Sequence, residues 1–145
     1  RKAAYGLLEA LLEAVPERGD PNKLTEHMLI GLDDPSEEVQ MICHQIVGKL
    51  AIYGSGALSG ALDGVLTPIR KNIEKQLKMI NNRQDVERAN DVLRSCFRCL
   101  DSIEVHVEVE NNMQFKELLS YISGVPELAS IMHVIKEQRE TLFFG

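Results

Sequence analysis

Apolar residues recur along the chain with the spacing of one face of an α-helix. The first set keeps that spacing over several turns: Ala4, Leu7, Leu8, Leu11, Leu12 and Val15. It predicts an amphipathic helix that is ended by Pro16 and the Gly19–Pro21 stretch. A second, shorter helix is predicted over residues 24–32, before the break at residues 33–35. The free energy gained by burying the apolar face of one helix is mostly cancelled by the loss of chain entropy. Each helix therefore needs a partner surface, and we expect the two helices to pack together.

Five more helices follow from the same periodicity. A third is expected from an N-cap at Ser36 to Tyr53, with two acidic residues in its first turn. A fourth, longer helix is predicted over residues 58–77, and Pro68 within it predicts a kink or a late start. The last three are predicted over residues 86–103, 115–122 and 126–135, the seventh with a proline at its first position.

The segment from Ile103 to Glu110 alternates strictly between apolar and polar residues, which is the pattern of a strand. The chain offers no second strand candidate, and a lone strand has nothing to pair with. We therefore favour an extended connection between helices, with a true strand as the alternative.

Helix pairs joined by short linkers, at a period of roughly 35–48 residues, are typical of stacked helical repeats. Short linkers also force consecutive helices to run antiparallel. The predicted fold class is therefore all-α, an α-solenoid of about three antiparallel helix pairs plus a capping helix. A helical bundle without repeats is the alternative that the pattern leaves open.

Composition and charge narrow the functional classes. The chain has 145 residues, 44% of them apolar, and a net charge of −6, which predicts one folded domain over residues 1–145. An acidic chain is a poor general binder of nucleic acid, because duplex affinity comes mainly from neutralising phosphates. No apolar run reaches the roughly 18 residues of a membrane span. We expect no nucleic-acid and no membrane partner, and the three cysteines favour a reducing compartment.

Residues 32–40, with the sequence LDDPSEEVQ, and the following Gly48–Leu50 resemble the HEAT-repeat pattern. That pattern has a leucine, an Asp-Pro pair, a helix that opens with two acidic residues, a valine and a basic residue, and later a small residue before a leucine. Gln40 stands where the basic residue is usual. The resemblance therefore does not predict the usual contact between that basic residue and an aspartate of the adjacent repeat.

A second resemblance covers residues 1–135. Short blocks carry it in order and at the right separation: Arg1–Ala4, Gly31–Asp33, Leu62 to Pro68 with Arg70, the 84–98 stretch with Val86, Glu87, Arg94, Ser95 and Arg98 in register, and Pro126–Ala129. These blocks resemble the C-terminal end of the cullin-associated, neddylation-dissociated proteins, also described as TATA-binding-protein-interacting proteins. The chain departs from that family in the glycine-rich segment 54–64 and in the apolar tail 141–145.

This resemblance implies a function without catalysis. Family members are HEAT-type α-solenoids that wrap around unneddylated cullins, and their C-terminal arch sits on the cullin N-terminal region, where the adaptor and substrate-receptor module docks. We therefore expect this chain to be the C-terminal end of a longer solenoid. It would bind the N-terminal region of a cullin scaffold in a cullin–RING ubiquitin ligase and exclude the adaptor sterically.

From the cysteine content we expect a cytoplasmic and nuclear protein. We also expect no enzyme activity, no cofactor, no metal and no small-molecule substrate, for the reasons given below for each candidate motif. The second helices of the pairs, over residues 23–32, 58–78 and 113–122, usually line the concave face of such an arch. A generic HEAT-repeat scaffold, binding a transcription factor or serving as a transport adaptor, is the alternative. Because the chain begins at Arg1, without an initiator methionine or a signal peptide, we interpret it as a segment of a longer protein.

Three groups of residues have the types but not the context of an active site. Cys96 and Cys99 form a C-x-x-C inside a predicted helix, where only Cys43–His44 offers further ligands, so we expect buried, inert thiols. The glycine-rich segment 54–60 has neither the preceding strand nor the lysine of a phosphate loop, so we expect a flexible turn. No histidine has the spacing of a nucleophile–base pair, so surface or structural roles are expected for His27, His44, His106 and His133.

Positive charge is concentrated in one stretch. Eight basic and four acidic residues give residues 70–98 a charge of +4, although the whole chain carries −6. Lys71, Lys75 and Lys78 share one helical face, opposite the apolar stripe of the same helix. We interpret them, with Arg70, as the candidate partner-binding residues for an acidic protein surface. A merely solvated helix face is the simpler alternative.

Two expectations concern the ends of the chain. The first helix should expose apolar surface, because the end of a solenoid lacks one neighbour. The apolar tail Leu142–Phe144 is expected to fold back onto the last repeat, with docking on a partner or fraying as alternatives.

Overall fold

The computed structural model describes residues 2–14 and 20–144, which form helices joined by short links. In chain order the helices are α1 (Lys2–Ala14), α2 (Pro21–Gly31), α3 (Glu37–Tyr53), α4 (Ser55–Gly60), α5 (Leu62–Asn81), α6 (Val86–His106), α7 (Met113–Ser123) and α8 (Pro126–Phe144). Among the described residues there is no strand. The predicted all-α class is confirmed, with eight described helices where the sequence predicts seven.

Helices α1, α3 and α6 lie side by side and run in the same direction. Near the starts of α3 and α6, Arg88 Nε lies 3.2 Å from Glu37 Oε1. Further along both helices, Ser102 Oγ donates to the Gly48 carbonyl at 2.7 Å. The ion pairs between α1 and α3 follow the same order along the chain: Lys2 with Glu38, then Glu9 with Lys49. These three helices form one layer.

Helices α2, α5 and α7 form the second layer, in which α5 and α7 also run in the same direction. Asn112 Nδ2 donates to Asp63 Oδ1 at 3.1 Å, and Gln114 Nε2 donates to Thr67 Oγ1 at 2.9 Å. Later residues of α7 thus contact later residues of α5, which shows that the two helices are parallel.

Across the two layers, α3 and α5 run in opposite directions. Gln76 Nε2 donates to Glu37 Oε2 at 2.6 Å, and Asn72 Nδ2 donates to Gln40 Oε1 at 2.8 Å. An up-and-down bundle makes every neighbouring pair antiparallel. Parallel neighbours within each layer and antiparallel neighbours across them are instead the arrangement of stacked helix pairs. The HEAT-like α-solenoid is confirmed.

Gln40, which departs from the HEAT pattern, makes its contacts within its own helix pair. Its Nε2 donates to the Asp34 carbonyl at 2.6 Å, and its Oε1 accepts from Asn72. The ion pair between Glu37 and Arg88 is one of the polar contacts that link α3 to the next repeat. Asn72 and Gln76 are buried and hydrogen-bonded to each other at 2.9 Å, so this polar ladder is satisfied across the layers.

Helix α8 closes the stack on the side of α6 and α7. Its axis turns by 108° from α7 instead of reversing against it. Arg139 Nε donates to Asp101 Oδ2 at 2.6 Å, and Lys136 Nζ lies 3.5 Å from Glu104 Oε1, so α8 is held across the end of α6. This is the position of a capping helix.

Local sequence sets where several helices begin. Ser36 Oγ accepts from the Val39 N–H at 3.5 Å, which confirms the predicted N-cap. Asn112 Oδ1 accepts from the Phe115 N–H at 2.8 Å and caps α7 in the same way. A continuous apolar core then fixes the layers, and its largest fully buried side chains are Phe97, Phe115, Met28, Ile46, Leu50, Leu58, Leu66, Ile69, Ile73, Leu93, Leu100 and Ile103.

The prediction of a flexible turn at residues 54–60, followed by one helix over 58–77, is wrong. Ser55–Gly60 forms the short helix α4, and α5 begins after Ala61. Leu58 is fully buried, and this apolar contact holds α4 against the core. The glycines of the segment had predicted a flexible backbone instead. Pro68 lies inside α5, not at its start. There it removes one backbone donor, and the Thr67 hydroxyl donates to the Asp63 carbonyl one turn earlier at 3.0 Å.

The extended connection predicted over Ile103–Glu110 is wrong for its first half, because α6 continues to His106. The remaining link begins in an extended conformation at Val107, with φ −111° and ψ 142°. Val107 and Val109 are both buried while the residue between them is exposed. The alternating pattern therefore corresponds to an extended link whose every second side chain is buried against the core. The link pairs with no strand among the described residues.

The described ends of the chain expose apolar side chains. Leu7 in α1 is 66% exposed, as expected for an end of the stack. The described part of the tail continues α8 and leaves Leu142 88% exposed, so the predicted fold-back is wrong there. Across residues 2–14 and 20–144 no single helix has the length and apolarity to cross a membrane. Helices α7 and α8 pass that test only as a pair, bent by 108°.

Candidate partner-binding surface

Three of the four residues predicted to bind a partner form one exposed surface on α5. Lys71, Lys75 and Lys78 are all exposed, while Ile69 and Ile73 on the opposite face are fully buried and fix the orientation of the helix. Among the described residues, none of the three ammonium groups has an ion pair or hydrogen bond. We call these three residues the α5 lysine surface. Its charges are available to an approaching acidic surface.

Arg70, the fourth predicted residue, is engaged inside the molecule. Its Nε lies 3.1 Å from Glu74 Oε1, and its guanidinium lies over the Tyr121 ring of α7, 5.1 Å from the ring centre. The ion pair holds Arg70 within α5, and the cation–π contact ties α5 to α7 at the edge of the α5 lysine surface. Burial raises the pKa of Tyr121, and the Glu74 carboxylate adds to that rise while Arg70 opposes it. Arg70 is thus placed to hold the surface in shape.

The structure brings Cys43, Cys96 and Cys99 into the core, as predicted for buried thiols. Burial is the main cause of their altered acidity, and it raises the pKa of Cys43 to about 12 and those of Cys96 and Cys99 further. A thiol with so high a pKa stays protonated at neutral pH and is a poor nucleophile or metal ligand. The described residues contain no group of three or more His, Cys, Asp or Glu side chains placed to hold a metal ion.

His44 lies between α3 and α6, and sequence spacing did not reveal its partners. Its Nδ1 is 2.8 Å from Ser95 Oγ, and its Nε2 is 3.8 Å from Cys96 Sγ. Burial lowers the pKa of His44 to about 4, so the ring is neutral at pH 7. No carboxylate in the described part of the chain bonds to this imidazole, so the pair lacks the orienting acid of a catalytic triad. The three groups form a satisfied polar contact in the core.

The other three histidines lie on the surface, as predicted. His27 and His106 are exposed, and His133 Nε2 is 2.9 Å from Glu137 Oε1, one turn further along α8. They lie on three different helices, and none of them is buried.

The fold and this surface define a class: a HEAT-like repeat domain with an apolar core and an exposed surface of three lysines that have no ion pair among the described residues. The family described as "TATA-binding protein interacting (TIP20)" matches residues 1–123. Since this is most of the sequence, the chain belongs to that family.

Curated relatives carry a more specific name. "Cullin-associated NEDD8-dissociated protein 1" of Drosophila melanogaster is 26% identical over 141 residues, 97% of this chain and 11% of the relative. The protein of the same name from Arabidopsis thaliana is 28% identical over 120 residues, 82% of this chain and 10% of the relative. "Cullin-associated NEDD8-dissociated protein 2" of Rattus norvegicus is 23% identical over 137 residues, 94% of this chain and 11% of the relative. The chain thus spans about a tenth of the length of these relatives.

Proposed function

We propose that this chain is a non-catalytic, cullin-binding domain of an assembly and exchange factor for cullin–RING ubiquitin ligases. One observation carries the proposal: the chain is similar, over 82–97% of its length, to proteins named for their association with cullins. Because the chain covers about a tenth of those proteins, we propose that it works as part of a longer solenoid. The three free cysteines support our proposal of a reducing compartment, the cytoplasm and nucleus.

The α5 lysine surface is the proposed contact with the cullin N-terminal region. Its three residues span about 11 Å of the helix axis, since each residue adds about 1.5 Å of rise. Charges grouped in this way speed the approach of an acidic partner more than they strengthen the final complex. Arg70 supports the surface from its edge through Glu74 and Tyr121.

The proposed mechanism is exclusion. A domain that occupies the cullin N-terminal region competes there with the adaptor and substrate-receptor module, so each lowers the apparent affinity of the other. This mechanism needs bulk and shape, and no covalent chemistry by the chain.

Binding can be tested with immobilised cullin N-terminal region and the 145-residue chain, by biolayer interferometry at several salt concentrations. The variant carrying Lys71→Glu, Lys75→Glu and Lys78→Glu should associate at least about tenfold more slowly and lose most of its salt dependence. The matched control carries Lys23→Glu, Arg98→Glu and Lys116→Glu, which reverse three exposed charges on three other helices. Equal rates for the two variants would show that the α5 lysine surface is not the contact.

Exclusion needs a separate measurement. A preformed complex of cullin N-terminal region and adaptor is challenged with increasing amounts of the chain, and adaptor release is followed by fluorescence anisotropy. Competition predicts that the apparent affinity of the adaptor falls in proportion to the concentration of the chain. A ternary complex that keeps the adaptor bound would contradict exclusion while leaving cullin binding intact. If neither the chain nor a longer version of it retains any cullin, the proposed function is wrong.

A second candidate function rests on the name of the family, which refers to interaction with the TATA-binding protein. Under this alternative, the chain is a HEAT-repeat scaffold that docks on a transcription factor. Retention of TATA-binding protein, with no retention of cullin under the same conditions, would favour it.

A further inference from the structure

The link between α5 and α6, residues 82–85, contains two residues with a left-handed backbone. Arg83 has φ 57° and Asp85 has φ 47°, and these are the only positive φ values among the described residues, glycines included. A residue with a Cβ is strained in this region, which is why glycine is the usual choice there. The link therefore holds two side chains at positions where the backbone disfavours them.

The first of these residues ends α5 in a Schellman motif. The Arg83 N–H donates to the Ile80 carbonyl at 3.0 Å, and the Gln84 N–H donates to the Met79 carbonyl at 2.8 Å. These two hydrogen bonds define the motif and fix the backbone of Arg83 at the position where glycine is most common. Arginine at this position is less stable than glycine would be, because its Cβ is crowded in the left-handed conformation.

No contact of the Arg83 side chain offsets this cost. The side chain is exposed and has no ion pair or hydrogen bond among the described residues, not even with the nearby Asp85 and Glu87. A cation near the end of α5 is favoured by the helix dipole, but Lys78 already provides one in the last turn. Backbone strain that serves no internal contact is typical of residues that contact a ligand or partner.

The link continues directly from the α5 lysine surface. The Asn82 N–H donates to the Lys78 carbonyl at 2.9 Å, so the link folds onto the last residue of that surface. Residues 81–88 are all exposed, and no other exposed run in the described part of the chain is as long. Arg83 is therefore held at a fixed position at the end of the α5 lysine surface, where a partner can reach it.

We propose that Arg83 is a specificity-determining contact of the α5 lysine surface and binds a carboxylate of an acidic partner. A guanidinium can form two parallel hydrogen bonds with one carboxylate, which an ammonium group cannot. The lysines speed the approach of the partner, and Arg83 fixes the orientation in which it docks. The inference rests on the proposed function in one respect, since it takes the α5 lysine surface as the partner contact.

The test measures both rates of binding of the 145-residue chain to immobilised cullin N-terminal region by biolayer interferometry. Arg83→Gly should dissociate at least about fivefold faster, while its association rate changes less than about twofold, because a docked hydrogen-bonded pair acts mainly on dissociation. Arg83→Lys keeps the charge and should restore only part of the lifetime of the complex. The matched control is Asp85→Gly, which relaxes the other left-handed residue and should leave the dissociation rate within about twofold.

Urea denaturation separates a binding role from a structural one. Neither glycine variant should lower the midpoint of unfolding, since glycine adopts the left-handed conformation without strain. A lower midpoint for Arg83→Gly would show that Arg83 stabilises the end of α5 and would overturn the proposal. A dissociation rate of Arg83→Gly equal to that of the unchanged chain would overturn it as well.

Failure of the proposed function gives a different result. If the unchanged chain retains no cullin, its acidic partner is represented by a fluorescein-labelled peptide of twelve glutamates, and binding is followed by fluorescence anisotropy. Arg83→Gly should then bind this peptide at least about threefold more weakly than Arg98→Gln, which removes one exposed, unpaired arginine from α6. Equal affinities of these two variants would overturn the inference.

Discussion

The centre of the stack and its described ends differ in how completely their side chains are covered. In the centre, α3 packs against α1, α2, α4 and α6, and Ile46 of α3 and Phe97 of α6 have no exposed surface. At one end, α1 packs mainly against α3, and Leu7 is 66% exposed. At the other end, Leu142 of α8 is 88% exposed. A helix in this fold gains its stability from having neighbours on both sides, which end helices lack.

Polar contacts repeat the same contrast. In the centre, Gln76 and Asn72 are buried and hydrogen-bonded to each other and to α3. Where α8 crosses α6, Asp101 Oδ1 and Glu104 Oε2 are buried and have no hydrogen-bond partner among the described residues. Buried polar atoms without partners are costly, so the α6–α8 contact is less well satisfied than the central one.

The largest expected difference between centre and end comes from removing apolar side chains. Phe97→Ala should cost about 3–5 kcal/mol of unfolding free energy, because it leaves a cavity between fully buried neighbours. Urea denaturation measures the loss. If Phe97→Ala does not fold, Phe97→Leu should still lose about 1–1.5 kcal/mol. A cost below about 0.5 kcal/mol for Phe97→Leu would contradict the tight packing of α6 in the centre.

A pH titration tests the buried histidine of the centre. Burial lowers the folded-state pKa of His44 from 6.5 to about 4, so between these values the unfolded chain binds more protons than the folded one. The unfolding free energy therefore has its full value above pH 6.5. It falls by up to about 3 kcal/mol as the pH falls toward 4, since each unit of pKa difference is worth 1.36 kcal/mol.

The control for this titration is His44→Gln, which keeps a side chain able to bond Ser95 and removes the titration. The lowered pKa of Glu38, caused by its hydrogen bond to Lys2, acts only near and below 4.5 and is common to both proteins. Unfolding free energies should therefore diverge between pH 6.5 and 4.5. Parallel profiles in that range would show that His44 is not buried in neutral form.

Close approach of α2 to α3 gives a smaller effect. A Cβ on Gly31 would collide with Cys43 Sγ, and the Tyr5 ring would be next nearest at 3.1 Å. Gly31→Ala should therefore cost about 1–3 kcal/mol by overpacking. Cys43→Ala removes the nearest atom. In the double variant, Gly31→Ala should therefore cost less than it does alone, and a double-mutant cycle measured by urea denaturation gives the difference. Strict additivity would contradict this contact.

The smallest effect is expected at the exposed end. Leu7→Ser should change the unfolding free energy by less than about 0.5 kcal/mol, because its side chain is 66% exposed. It should also reduce binding of a hydrophobic dye to the folded chain. A loss as large as that of Phe97→Leu would mean that α1 is as well covered as the centre.

Sequence periodicity predicted the central helices well, because their stripes are long and their ends carry local signals. Ser36 caps the start of α3, as its position before two acidic residues predicted. It failed where tertiary contacts override local signals. Burial of Leu58 stabilises a short helix in a glycine-rich segment. Val107 and Val109 are buried although they lie in a link between helices and not in a strand.

The candidate site was predictable to the same degree. A helical stripe places Lys71, Lys75 and Lys78 on one face, and the structure confirms that they are exposed. Arg70 is adjacent in sequence, yet its contact with Tyr121 depends on a helix 51 residues away. The contacts of His44 with Ser95 and of Gln40 with Asn72 also connect different helices. Periodicity within one helix cannot predict which other helix it contacts.

Hydrogen exchange of backbone amides across the whole chain tests the stacked-repeat arrangement most directly. Stability that is a sum of nearest-neighbour contacts predicts the greatest protection in α3 and α6, with less in α1 and α8. Equal protection in all these helices, lost together in one transition, would contradict it.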